Sequence, residues 1–319
     1  MKKIAVLTSG GDAPGMNSAI RAVTRTAIFQ DMEIVGIRRG YCGLLEEDFI
    51  PMDVSYVADI IHRGGTKLLT ARCDDFLKEE NQDRAYQILC RHGIEGLVVI
   101  GGDGSFRGAL TLQRRGLPVI GVPGTIDNDI AGTDASIGFS TAVNTSIWAI
   151  DHIRDTASSH QRNFLIEVMG RNSGHLALAA GLAGGAEAVL LPEIPFDLKE
   201  IADKIEMGHR RGKIHSIIVM AEGAGDAPEV AQSIKEITGH EYKITTIGHI
   251  QRGGSPDFQD RLLASRLGNK AVTLLKDGED GKMVGICGEE IVTNALENII
   301  SVKKSLPLGD YELMKVLSI

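Results

Sequence analysis

Short β-rich apolar runs recur along the chain, and most are followed by 10–20 residues of helical periodicity. The runs are KIAVLTS (Lys3–Ser9), EIVGI (Glu33–Ile37), LVVIGG (Leu97–Gly102), PVIGV (Pro118–Val122), NFLIEVM (Asn163–Met169), AVLLP (Ala188–Pro192), HSIIVMAEG (His215–Gly223) and ITTIGH (Ile244–His249). In the Met16–Phe29 segment the apolar Ile20, Val23 and Ala27 recur at i, i+3 and i+7, one face of a helix. Such alternation confines the chain to α/β architecture, with mainly parallel sheets wrapped by helices. Ligands of open parallel sheets bind outside the carboxyl ends of the strands. The residues just after each run are therefore the first candidates for a site.

The 319 residues predict two domains, at roughly 150 residues each. No Pro/Ser-rich linker marks a boundary, and residues 138–158 read as one long helix that joins two lobes. The hydrophobic share of 43% excludes disorder, and the aromatic share of 4% requires aliphatic cores. Acids outnumber bases 42 to 34, which argues against nucleic acid as a partner. Cys42, Cys73, Cys90 and Cys287 show neither CxxC nor metal-ligand spacing and read as reduced thiols of the cytoplasm. MKKIAVLTSGG enters a strand at once, and no apolar stretch approaches the ~18 residues of a membrane span.

Four strand ends carry glycine-rich turns: TSGGDAPGMN (Thr8–Asn17), GGDGS (Gly101–Ser105), GRNSGH (Gly170–His175) and QRGGS (Gln251–Ser255). Bare backbone N–H groups at a helix start bind anions, so the set points to phosphate. The P-loop GxxxxGK[ST] is absent, and Gly102, Gly104 and Gly108 miss the GxGxxG spacing of dinucleotide folds. GGDGS instead offers a carboxylate, Asp103, and a hydroxyl, Ser105. An Asp beside phosphate needs a divalent cation between them, and Mg²⁺ suits one carboxylate plus phosphate oxygens. Helix capping by Asp103 or Ser105 stays open at this point.

GTIDNDI (Gly124–Ile130) places Asp127 and Asp129 just after an apolar run. A calcium loop counted from Asp127 would need Glu at its twelfth position, where Gly138 stands. Capping by either acid stays open, although the next helical pattern begins only near Ile137. A carboxylate near metal-bound phosphate also suits a base that activates a hydroxyl for phosphoryl transfer. Cations stand in polar turns: Arg72, Arg162, Arg171, His249 and Arg252. Arg21 and Arg25 share a helix face at i, i+4, a repulsive spacing that a bound anion would reverse. Arg211 and Lys213 precede a strand.

Together these motifs resemble the bacterial ATP-dependent 6-phosphofructokinase family. The resemblance is carried in order and spacing by LTSGGDAPGMN, RGGT…TAR, VVIGGDGS, GVPGTIDND, RDTASSH, EVMGR, GLAGGAE, AEG and GHIQRGGSP. It implies two Rossmann-like lobes, residues 1–138 plus 251–305 for ATP and 139–250 plus 306–319 for fructose 6-phosphate. It implies ATP as co-substrate on Gly11, Arg72, Cys73, Gly102, Asp103, Gly104 and Ser105, with Mg²⁺ on Asp103. Asp127 would be the base for the sugar 1-hydroxyl, Thr125 and Arg171 would stabilise the transferring phosphoryl group, and Asp129 would support the site. Fructose 6-phosphate would meet Thr125, Ile126, Asp127, Arg162, Met169, Gly170, Arg171, Glu222, Lys243, His249, Ile250, Gln251 and Arg252. Arg162 and Lys243 would reach in from a neighbouring subunit of a homotetramer. Arg21, Arg25, Arg154, Gly185, Glu187, Arg211, Lys213 and His215 would form a regulatory site for ADP and phosphoenolpyruvate.

Two positions depart from the family pattern. Lys243 in EYKITT replaces the usual Arg, keeping the charge without the bidentate fork. Ser140 in GFSTA replaces the usual Asp and is assigned no role. The segment from Cys287 to Gly309 matches the family weakly. Pyrophosphate-dependent relatives carry an acid in the GGDG turn and a Lys just before TIDND. Gly104 and Gly124 stand there instead, and both positions are expected to be open, which favours ATP as donor. A nicotinamide-dependent dehydrogenase lacks its GxGxxG, and a non-catalytic phosphosugar sensor has no need of Asp103, Asp127 and Arg171 together.

Overall fold

The computed structural model describes residues 1–318; Ile319, the last residue of the expected second lobe, lies outside the described residues. In chain order the strands are β1 (Lys3–Ser9), β2 (Glu33–Ile37), β3 (Phe49–Pro51), β4 (Gly96–Gly101), β5 (Val119–Pro123), β6 (Asn163–Val168), β7 (Ala188–Leu190), β8 (Ile217–Ala221), β9 (Tyr242–Thr246), β10 (Lys282–Cys287) and β11 (Glu290–Ala295). The chain divides into two compact units. Unit 1 comprises Met1–Ile126, Ile130–Thr141 and Arg252–Lys304; unit 2 comprises Asp127–Asp129, Ala142–Gln251 and the segment from Ser305.

Unit 1 holds a seven-stranded sheet in the order β11-β10-β5-β4-β1-β2-β3. The inner strands are parallel, and β3 and β11 pair antiparallel at the two edges. Ala5, Leu7, Leu97, Val99 and Val119 pack with Ile88 and Leu89 of the helix Glu79–Arg91 and Phe106, Ala109 and Leu112 of the helix Asp103–Gln113. Each large side chain removed from water there contributes about 1.5–3 kcal/mol. This core fixes β1, β4 and β5 side by side, so the turns at Gly10–Gly11, Gly102–Ser105 and Gly124–Thr125 emerge from one carboxyl edge.

Unit 2 holds four parallel strands in the order β7-β8-β6-β9. Leu165, Ile218 and Met220 face the helices Leu198–Arg210 and Ala227–Thr238. Ile166, Val168, Val219 and Ala221 face the opposite layer, with Ile150, Ala177, Leu178 and Met314. The carboxyl edge of this sheet carries Met169–Arg171 after β6, Glu222 after β8 and Gly248–Gln251 after β9.

Expected and observed elements differ in places. β9 runs from Tyr242 to Thr246, two residues before the expected Ile244–His249. Tyr242, buried and bonded through its hydroxyl to Ser216, pins the register opposite Asn163, while Gly248 at φ +63 turns the chain into a 3₁₀ segment. β3, β10 and β11 were not anticipated. Among the described residues, no helix is long and apolar enough to cross a membrane.

Candidate active site

Asp127 and Asp129 have different surroundings. Asp127 is 5% exposed, whereas Asp129 is open to solvent. Between them Asn128 sits at φ +49, a left-handed conformation uncommon outside glycine. Arg171, in unit 2 like Asp127, also adopts a left-handed conformation (φ +52), and its Nε lies 3.8 Å from Asp127 Oδ2. Non-glycine residues held this way cost on the order of 1–3 kcal/mol each, so the surrounding contacts must over-determine them.

Those contacts are visible. Glu222 Oε1 accepts from the main-chain N–H groups of both Gly170 (3.1 Å) and Arg171 (2.6 Å). A side chain at Gly223 would place its Cβ 2.0 Å from the Arg171 carbonyl oxygen, so only glycine lets the two turns touch. Gly174 donates to Glu193. Gln251, fully buried, accepts from Met169 N–H (3.0 Å) and donates to Ser146 Oγ (2.9 Å). Its amide thus ties the turn after β6 to Ser146. Ile126 is likewise fully buried, which leaves only its main chain available to a ligand.

The structure separates the expected sugar-phosphate residues into two groups within unit 2. Met169, Gly170, Arg171, Glu222, His249 and Ile250 lie at the carboxyl edge of the sheet. Arg162 precedes β6, and Lys243 pairs with Phe164 at the start of β9. The length of β6, about 3.3 Å per residue, puts roughly 20 Å between the groups. Lys243 meets Glu241 (3.1 Å), whose carboxyl is held below its usual range by Lys243 first and more weakly by Lys235 and Arg162.

In unit 1, Arg252 belongs with the turn after β1. Its Nη1 donates to the Asp12 carbonyl (3.3 Å), and it lies so close over Gly11 that a Cβ there would be 2.1 Å away. Asp103 opens the helix Asp103–Gln113 and pairs with Arg107 across one turn (3.0 Å). Both partners are about half exposed, so the pair is weak and the carboxylate is available to a cation. Among the described residues, no group of three or more His, Cys, Asp or Glu could hold a metal ion. A lone Asp suits Mg²⁺, which takes most of its oxygens from phosphates and water. Ser105 is buried, and its carbonyl accepts from the Tyr41 hydroxyl (2.6 Å); Tyr41 stacks on Phe76, three residues beyond Cys73. The Arg72 carbonyl accepts from Cys42 Sγ (3.1 Å), and burial, with Cys73 beside it, pushes the Cys42 thiol up to about 12.

The two glycines expected to leave room for ATP are not alike. Gly104 has no heavy atom within 4 Å of an added Cβ, as expected. Gly124 is not open: a Cβ there would press on Ile100 Cγ2 at 3.2 Å and Met16 Cε at 3.4 Å. A side chain at 124 would meet packed neighbours rather than open space, so the donor argument rests on Gly104. Ser140, given no role in advance, donates to Asp257, the residue that caps the helix Phe258–Lys276.

The expected regulatory residues of unit 2 gather near the amino edge of its sheet. Buried Glu187 meets Lys213 Nζ at 2.6 Å and the Ile217 N–H, and Arg154 donates to the carbonyls of Gly184 and Gly185. Glu187, Lys204, Arg211, Lys213 and His215 line one cleft, where burial lowers the His215 imidazole. Arg21 and Arg25 lie on the unit 1 helix Met16–Phe29, and burial, then Arg25, lowers the Arg21 guanidinium.

These features define an α/β protein with glycine-rich, charge-bearing turns on the carboxyl edge of each of two mainly parallel sheets. Comparison with known proteins narrows the class. The family model described as Phosphofructokinase matches residues 3–275. The chain is 55% identical to the ATP-dependent 6-phosphofructokinase of Halothermothrix orenii and 54% identical to that of Bacillus subtilis, each covering 100% of both chains. A solved structure of phosphofructokinase from Saccharomyces cerevisiae superposes with a TM-score of 0.90 at 35% identity, over 100% of this chain and 48% of that one. A pyrophosphate-dependent phosphofructokinase from Marinobacter aquaeolei gives 0.85 at 25% identity, over 97% of this chain and 86% of that one. The chain belongs to the phosphofructokinase family.

Proposed function

We propose that the chain transfers the γ-phosphoryl group of ATP to the 1-hydroxyl of D-fructose 6-phosphate, giving fructose 1,6-bisphosphate and ADP in glycolysis. The observation that carries this reading is the buried Asp127 carboxylate facing the Arg171 guanidinium at 3.8 Å, on a turn locked by Glu222. Full-length similarity to ATP-dependent enzymes and the open Gly104 support ATP over pyrophosphate as donor.

Gly11, Arg72, Cys73 and Gly102–Ser105 bind ATP. Asp103 would hold Mg²⁺, which would supply neutralising charge beside the donor phosphates. Asp127 takes the proton of the 1-hydroxyl as that oxygen bonds to the γ-phosphorus and the bond to the ADP oxygen breaks. Arg171 and Thr125 stabilise the charge on the transferring group, and Asp129 supports the site. Met169, Gly170, Glu222, His249, Ile250 and Arg252 bind the sugar phosphate, with the main chain of Ile126; Gln251 holds Met169 in place. Arg162 and Lys243, at the opposite edge of the sheet, serve the site of another copy, which supports a homotetramer. Arg21, Arg25, Arg154, Gly185, Glu187, Arg211, Lys213 and His215 bind the effectors ADP and phosphoenolpyruvate, and the enzyme works in the cytoplasm. Asp127→Ser should lower kcat by about 10²–10⁴-fold while fructose 6-phosphate still binds. Turnover near that of the unaltered enzyme would remove Asp127 from the role of base.

A further inference from the structure

Two buried residues outside every expected set touch the main chain of Asp127 through one hydrogen-bonded chain. Ser173 and His175 are 5% and 6% exposed. Ser173 Oγ lies 2.9 Å from the Asp127 carbonyl oxygen and 3.0 Å from His175 Nδ1. His175 Nε2 lies 3.2 Å from the carbonyl oxygen of Ser305. A carbonyl only accepts, so the single hydroxyl proton of Ser173 goes to Asp127, and Ser173 Oγ in turn accepts from Nδ1. The Ser305 carbonyl likewise only accepts, and it lies within reach of Nε2.

We infer that Ser173 and His175 are positioning residues for the catalytic carboxylate. The inference rests on the proposed role of Asp127 as base. The Asp127 carbonyl belongs to the peptide plane that leads into left-handed Asn128. Fixing that oxygen stops the plane from rotating, and so fixes the direction in which the Asp127 side chain leaves the backbone. Ser173 stands two residues from Arg171, whose guanidinium faces the carboxylate of the same residue. One turn thereby holds the base at both ends, its main chain through Ser173 and its carboxylate through Arg171. The turn is itself held by the Ser173 N–H to the Gly170 carbonyl (2.9 Å) and by the carboxylates of Glu222 and Glu193. His175, at the start of the helix His175–Ala183, links this support to the segment that begins at Ser305. A misplacement of about 1 Å in a reacting group costs on the order of 10²-fold in rate, so a support of this kind acts on kcat rather than on substrate binding.

The test uses the full chain with Ser173→Ala, Ser173→Thr, His175→Gln and Asp127→Ser, read by steady-state kinetics, fructose 6-phosphate calorimetry and thermal melting. Ser173→Ala should lower kcat about tenfold or more, with fructose 6-phosphate affinity and Tm close to those of the unaltered protein. Ser173→Thr, which keeps the hydroxyl, should recover most of the rate, and His175→Gln should lower kcat in the same sense. Should Ser173→Ala fail to fold, the kcat of His175→Gln at unchanged affinity decides. A kcat for Ser173→Ala within about twofold of the unaltered enzyme overturns the inference, as does a rate loss matched by equal losses of affinity and Tm. If Asp127→Ser abolishes turnover while Ser173→Ala leaves it intact, the positioning role alone falls. If Asp127→Ser turns over normally, the assignment of the base falls first.

Discussion

Asp260 gives the sharpest quantitative expectation. It stands in the first turn of the helix Phe258–Lys276, 1% exposed, and accepts from Gly138 N–H (2.8 Å), Thr141 N–H (2.8 Å) and the Thr141 hydroxyl. Burial raises its carboxyl from 3.8 to about 6, against the pull of those three donors, with Asp257 adding a smaller upward push. A folded value above the unfolded one means that the folded state binds more protons across this window. The stabilising contribution is therefore complete below about pH 4 and is lost as pH rises through 6. At 1.36 kcal/mol per unit, the full loss is about 3 kcal/mol. Asp260→Asn cannot ionise and pays a fixed cost for the N–H it no longer accepts. Urea unfolding of both proteins, at one protein concentration from pH 4.5 to pH 7.5, isolates the titration. The advantage of the unaltered protein over Asp260→Asn should shrink by about 2 kcal/mol across this range, the first ~1 kcal/mol having gone below pH 4.5. A difference independent of pH, or one that grows as pH rises, would refute the reasoning, because the three donors would then outweigh burial.

Other expectations follow from the glycines and from Lys243. Gly104→Asp should raise the KM for ATP at least about tenfold by placing a like charge beside the phosphates, with Tm nearly unchanged because the position is open. Gly124→Ala should instead destabilise by about 1–3 kcal/mol through its contacts with Ile100 and Met16, which thermal melting would read. Gly223→Ala should displace the Arg171 turn and lower kcat/KM for fructose 6-phosphate; unchanged kinetics would show that the turn is not held at that contact. Lys243→Arg should lower the half-saturating concentration of fructose 6-phosphate, and an unchanged value would remove the argument from the missing guanidinium fork.

The fold was legible where its signals are local. β1, β2 and the helix Met16–Phe29 fall on their expected bounds because an apolar run or a single apolar face marks each of them. The hairpin β10–β11 was not, since its outer strand is mostly solvent-facing and carries no apolar run. β9 slipped for a related reason: Ile244, the expected first residue, is 41% exposed on an edge strand. At the site, charged residues in glycine turns after strands could be picked out from sequence. Their supports could not, because Gln251, Glu222 and Ser173 reach partners 82, 52 and 46 residues away. Ser140 is the same case, with Asp257 lying 117 residues further along the chain. Gly124 misled because a glycine in sequence reads equally as space for a ligand or as space filled by a neighbour.

The most direct test of the central claim is an initial-rate assay of the full chain on fructose 6-phosphate with Mg²⁺, supplied in parallel with ATP or with pyrophosphate, and with fructose 1,6-bisphosphate as the measured product. The account predicts turnover with ATP and none with pyrophosphate. Turnover with pyrophosphate alone, or with neither donor, would contradict it.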